Sequence, residues 1–183
     1  MGKIEVTKCP IEGLLVLEPA VYGDSRGYFT ETYNRKDLAA LGIDTEFVQD
    51  NQSKSSKGVL RGLHFQIANP QAKLVRVLSG EVFDVAVDLR RNSETYGKWY
   101  GVVLSESNKK QFYIPEGFAH GFYVMSESAV FCYKCNRYYD PTSEGGLPWD
   151  DPVLAIQWPV EGSPLISEKD SKYSPFADFV TPF

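Results

Sequence analysis

Histidine is scarce in this chain, with two in 183 residues, His64 and His120. Cysteine is nearly as rare, at three residues, and that odd number excludes the paired disulfide framework of a small secreted scaffold. Long apolar runs are missing as well. No stretch reaches the ~20 apolar residues of a membrane-spanning helix, and the opening MGKIEVTKCP lacks the apolar centre of a signal peptide. A cytoplasmic protein with no membrane partner is expected. Positive charge is in deficit, with 19 Lys and Arg against 24 Asp and Glu and a net charge of -5, which argues against nucleic acid as a partner. An anionic ligand would need a few placed Arg and Lys side chains.

What is present is aromatic and apolar. Hydrophobic residues make up 43% and aromatics 14%, so a chain of this length can bury a core as one domain spanning residues 1–183. Short segments rich in Val, Ile, Phe and Tyr alternate with Gly, Pro, Asn and Ser, the pattern of antiparallel strands and tight turns. KLVRVL (73–78) and EVFDVAVDL (81–89) flank Ser79-Gly80 as a hairpin. Further strands are expected over residues 14–18, 28–33, 99–104, 111–114, 121–125 and 129–139. One helix is marked over residues 34–41, capped by Asn34, with Asp37 near its positive end and Gly42 to stop it. A second short turn begins at Ser167. With no βαβ alternation and no repeat, a sandwich, jelly roll or barrel is the expected fold class.

Cys132 and Cys135 have the spacing of a redox or zinc pair, but they sit in AVFCYKCNRYY, which reads as a strand. Residues three apart on a strand point to opposite faces, so a structural role is expected for both. The same alternation puts Phe131, Tyr133 and Cys135 on one face and Lys134 on the other.

Both histidines lie in segments dense in glycine, GVLRGLHFQ and IPEGFAHGF, where the backbone can approach a ligand closely. One shared site is therefore expected in preference to two buried core histidines. The Pro115-x-Gly117-x-x-His120 spacing resembles the second motif of the cupin superfamily, small antiparallel β-barrels. Metal-binding members carry His-x-His and a following Glu in their first motif. Here Gln66 stands two residues after His64, and Asn69, Pro70 and Gln71 occupy the span of the Glu. Too few ligands remain for a strong divalent site, so no metal and no cofactor are expected. Histidine, with an unperturbed pKa near ~6.5, suits a base.

GDSRGYFTET, FVQDNQSKSSKGVLRGLHFQ, KLVRVLSGEVFDVAVDLR, IPEGFAHGF, WDDP and SEKD, in this order, resemble the dTDP-4-dehydrorhamnose 3,5-epimerases. The resemblance implies an all-β cupin or jelly-roll β-barrel with one or two short helices, and a homodimer in which the strand after Met1 is exchanged or extends a sheet. It implies inversion at C3 and C5 of a nucleoside-diphosphate 4-keto-6-deoxyhexose. By the same resemblance His64 is the base, Asp170 its orienting carboxylate, Tyr133 the acid and Lys73 the cation for the enolate, with His120 near the sugar. Substrate contacts carried over are Arg26, Glu31, Gln49, Asp50, Asn51, Arg61, Lys73, His120, Tyr139, Glu144 and Lys169. Two guanidiniums, Arg26 and Arg61, suit a diphosphate because each offers paired charged donors. Alternatives are an epimerase acting at one carbon or on a GDP- or CDP-linked sugar, a metal-dependent cupin enzyme, and a non-catalytic sugar-binding barrel.

Overall fold

The computed structural model describes residues 4–183. In chain order its elements are β1 (Ile4–Lys8), β2 (Leu15–Pro19), β3 (Val21–Asp24), β4 (Gly27–Thr30), α1 (Arg35–Ala40), β5 (Gln49–Ser56), β6 (Leu60–Gln66), β7 (Lys73–Ser79), β8 (Glu81–Asp88), β9 (Trp99–Ser105), β10 (Gln111–Ile114), β11 (Phe118–Val124), β12 (Ser128–Cys135) and β13 (Glu144–Gly146). Six strands form one sheet in the order β1-β2-β10-β7-β12-β5, and five form a second in the order β13-β6-β11-β8-β9; β3 and β4 make a separate hairpin. Every pairing between these strands is antiparallel.

Apolar side chains at alternate positions hold the two sheets together. Val75 and Val77 of β7, Phe112 of β10 and Phe131 of β12 pack against Val82 and Ala86 of β8 and Phe122 and Val124 of β11. The offset Phe122 and Phe131 rings lie 4.2 Å apart across this core, stacked at 16°. The opposite residues of the five-stranded sheet, Leu63, Phe65, Val85 and Val87, are covered by the C-terminal segment through Leu154, Trp158, Phe176 and Phe179. That covering fixes which face of β6 turns inward. The tail beyond Ser174 thus packs against the outer face of the five-stranded sheet.

Local signals act as the sequence suggests. Asn34 accepts hydrogen bonds from the amides of Lys36 and Asp37 at 3.1 and 3.4 Å, and Gly42 adopts φ +86° just beyond the helix. Gly80 adopts φ +81° in the β7–β8 turn, where a Cβ would collide with the carbonyl of Ser128. The expected strand over 129–139 is shorter: β12 stops at Cys135, after which the Asn136 side chain accepts from the Ala72 amide at 2.8 Å. The expected turn at Ser167 leads into a 3-10 turn, Asp170–Lys172. The strand after Met1 is present from Ile4 as an edge paired to β2; residues 1–3 lie outside the described part.

Candidate active site

The inward rows of several strands change from apolar to polar toward one end of the barrel. On β6 the covering of Leu63 and Phe65 leaves His64 and Gln66 facing inward. On β7 Lys73 precedes the core residues Val75 and Val77, and on β12 Tyr133 follows Phe131. His120 of β11 pairs directly with His64, and Gly146 of β13 pairs with His64 from the other side. Asn51 of β5 pairs with Tyr133. The two histidines expected to share a site are cross-strand neighbours.

His64 and Asp170, 106 positions apart in sequence, meet: His64 Nε2 is 2.8 Å from Asp170 Oδ1. Asp170 is buried, and its second oxygen accepts from the Gly62 amide at 3.2 Å. Gly62 is needed for this geometry. It adopts φ +123° and a Cβ there would strike Gly121 and the His120 carbonyl, so the glycines let β6 and β11 close on each other. Burial pushes the Asp170 carboxyl up, but hydrogen bonds from His64, Gly62 and Ser167 outweigh it and hold the pKa below the usual range. An ionised Asp170 therefore accepts Nε2–H, which leaves the His64 Nδ1 lone pair free.

A second pair lies behind the first. His120 Nε2 is 3.0 and 2.9 Å from the two oxygens of Asp84, and both residues are buried. Burial lowers the His120 pKa against the opposing effect of Asp84. Lys73 Nζ lies 5.9 Å from the centre of the Tyr133 ring, and burial lowers its pKa too. The Tyr133 phenol is raised by burial, so it stays protonated and can donate. Since the two sheets face each other, His64 and Tyr133 stand on opposite walls of the space between them.

At the rim, Glu144 accepts from Tyr139 Oη at 2.5 Å and forms an ion pair of 2.5 Å with Lys169. Gln49 donates to Asn51 at 2.9 Å and accepts from the Tyr139 amide at 3.0 Å. Arg61 Nε donates to Ser55 Oγ at 3.1 Å. A cavity of about 370 Å³ opens here, between Arg61, His64, Lys169 and the apolar lip of Val59, Leu165 and Ile166. A larger depression, about 540 Å³, lies around Arg90 and Arg91, but their guanidiniums already serve Asp88 and the Thr181 carbonyl. Of the two, it is the smaller that His64 and Asp170 line.

Three expected substrate contacts are not gathered with the others. Asp50 pairs with Lys134 at 2.8 Å on the face opposite Gln49 and Asn51, because neighbours on a strand point to opposite sides. Arg26 sits on the exposed β3–β4 hairpin, paired with Asp24 at 2.5 Å. Glu31 accepts from Asn34 at 2.8 Å beside the start of α1. The cysteines are free thiols, and Cys132 and Cys135 face opposite sides of β12 as alternation requires. Among the described residues no group of three or more His, Cys, Asp and Glu side chains is arranged to ligate a metal.

Asp84 and Tyr173 are site residues that the sequence reading passed over. Tyr173 stands edge-on to His64 with ring centres 6.0 Å apart, and its hydroxyl is buried with no hydrogen-bond partner among the described residues. Burial, then the charges of Asp170 and Glu144, raise its pKa. A signal for Asp84 existed: it is the one acid in the middle of β8, flanked by Val82, Phe83, Val85 and Ala86.

Residues 8–178 match the family model described as dTDP-4-dehydrorhamnose 3,5-epimerase. The chain belongs to that family. It is 51% identical over 180 residues to the dTDP-4-dehydrorhamnose 3,5-epimerase of Methanothermobacter thermautotrophicus, covering 97% of each chain. A dTDP-6-deoxy-D-glucose-3,5-epimerase from Legionella pneumophila, solved with dTDP-4-keto-L-rhamnose, superposes with a TM-score of 0.93 at 52% identity over 94% of this chain and 93% of that one. The dTDP-4-dehydrorhamnose 3-epimerase of Streptomyces niveus is 43% identical over 162 residues, 87% of this chain and 78% of its own. This epimerase-family member is accordingly an isomerase on a cupin-type barrel. No helix among the described residues is long and apolar enough to cross a membrane.

Proposed function

We propose that this isomerase converts dTDP-4-dehydro-6-deoxy-D-glucose into dTDP-4-dehydro-L-rhamnose by inverting C3 and C5, with His64 as base and Tyr133 as acid. The observation that carries this reading is that His64 of one sheet, held by Asp170 at 2.8 Å, stands across from Tyr133 of the other. Both carbons are α to the C4 ketone, so loss of a proton gives an enolate. His64 Nδ1 takes the proton on one side while Asp170 steadies the imidazolium. Tyr133 returns a proton on the opposite side, which inverts the centre, and Lys73 stabilises the enolate oxygen.

Arg61 and Lys169 flank the cavity mouth and suit the diphosphate, which accounts for an acidic protein holding an anion. Tyr139, exposed beside Glu144, offers a ring for the nucleobase, and Gln49 and Asn51 offer donors and acceptors. Arg26 and Glu31 lie on or beside the projecting β3–β4 hairpin, so a nucleotide role for them calls for a second subunit. Exposed Tyr22, Tyr28 and Phe29 on that hairpin support the homodimer reading.

Turnover in heavy water, read by NMR of the product, tests the reaction. Deuterium is expected at both C3 and C5. Label at one carbon only would reassign the enzyme to the single-centre class represented by the Streptomyces niveus relative.

A further inference from the structure

We propose that Tyr173 is a positioning residue: its ring, seated over Gly146 beside the His64 imidazole, holds the base in the plane from which Nδ1 meets the sugar. The role rests on the reading of His64 as the base and deepens it.

Asp170 alone does not fix that plane. Rotation about the Cβ–Cγ bond of a histidine is a broad, soft torsion, and the hydrogen bond at Nε2 pins one atom of the ring. The imidazole also stands partly exposed, so it needs walls on either side. Paired residues of an antiparallel sheet project to the same face, and the partners of His64 are His120 on β11 and Gly146 on β13. One neighbour is a second imidazole. The other has no side chain.

Tyr173 fills that place from outside the sheet. A Cβ on Gly146 would run into Cζ, Cε1 and Cε2 of its ring, so the hydroxyl end of the tyrosine takes the space a side chain on Gly146 would need. From there the ring stands edge-on to His64, 6.0 Å between centres and inclined at 71°, a T-shaped aromatic contact. Residues three apart across a 3-10 turn lie one above the other, so the turn Asp170–Lys172 sends Asp170 and Tyr173 to the same side, toward β6. One short segment thus delivers both the acceptor for Nε2 and the wall for the ring. The phenol hydroxyl is buried with no hydrogen-bond partner among the described residues, so what Tyr173 brings to His64 is its ring.

Tyr173→Ala removes the wall, and Gly146→Ala, at a backbone position outside the left-handed region, pushes the ring away. Each should lower kcat by about ten- to a hundredfold, the scale set by a small misplacement of a reacting group, while dTDP binds within a fewfold of wild type. Tyr173→Phe should recover most of what Tyr173→Ala loses. Gly146→Ala should cost little more once Tyr173→Ala is made, because both act on the same ring. Additive losses overturn the proposal, as does a Tyr173→Phe variant as slow as Tyr173→Ala, or a loss of dTDP affinity equal to the loss of kcat. If Tyr173→Ala does not fold, a slow Gly146→Ala beside a fast Tyr173→Phe supports the role and any other pairing overturns it. In a His64→Ala background the ring has no base to hold, and removing it should slow the residual turnover no further. An undiminished loss there overturns the positioning role and leaves the base in place, whereas near wild-type turnover of His64→Ala itself overturns the base reading.

Discussion

His64→Ala is expected to lower kcat by about a thousandfold while dTDP still binds within a fewfold of wild type, since a positioned general base contributes typically ~10²–10⁴. The asymmetry follows from where the groups stand. His64 lies inward on β6, bonded through Nε2 to Asp170, whereas Arg61 and Lys169 line the mouth of the cavity. Removing the imidazole takes away the proton acceptor and leaves the diphosphate contacts in place. Steady-state kinetics with dTDP titration by calorimetry would show this split. Turnover within a fewfold of wild type would mean that another group takes the proton, and an equal loss of dTDP affinity would mean that the barrel has rearranged.

Tyr133→Phe separates the two halves of an inversion. The phenol is held protonated by burial and belongs to the sheet opposite that of His64. With it gone, His64 can still remove a proton and restore one to the same side, so deuterium should keep entering recovered substrate while net inversion falls by ~10²–10⁴. Phe keeps the ring packed against Phe131, 6.0 Å away, so the fold should tolerate the change. If exchange and inversion fall together, Tyr133 supports the site without delivering the proton.

The barrel was legible wherever Val- and Leu-rich segments are bounded by turn residues, as in KLVRVL and EVFDVAVDL around Ser79-Gly80. It was least legible in β5, QDNQSKSS, where no apolar alternation exists to read. Gln49 and Asn51 lie on one face, bonded to each other, while Asp50 and Lys54 turn to the other, so the strand is polar on both faces and was visible only as a motif. The same blindness grouped Asp50 with its neighbours, although Lys134 holds it on the other side. A strand that lines a polar cavity loses the hydrophobic rhythm by which strands are recognised.

The site was legible as far as motif resemblance reached. His64 and Asp170 were named together, but only folding could close 106 positions to 2.8 Å. Asp84 escaped notice because spacing does not reveal whether an acid on an apolar strand faces water or the core. Tyr173 lies just past the SEKD segment, and nothing in its neighbourhood distinguishes it from the other tyrosines of the chain. Arg26 and Glu31 were grouped with the nucleotide contacts by resemblance alone, and a linear sequence does not say which subunit a hairpin serves.

A crystal structure with an unreactive dTDP-linked hexose bound tests the central claim most directly. The sugar should lie between His64 and Tyr133, with C3 or C5 toward His64 Nδ1 and the diphosphate against Arg61 and Lys169. A sugar that turns C3 and C5 away from both residues, or lodges in the depression around Arg90 and Arg91, would contradict it.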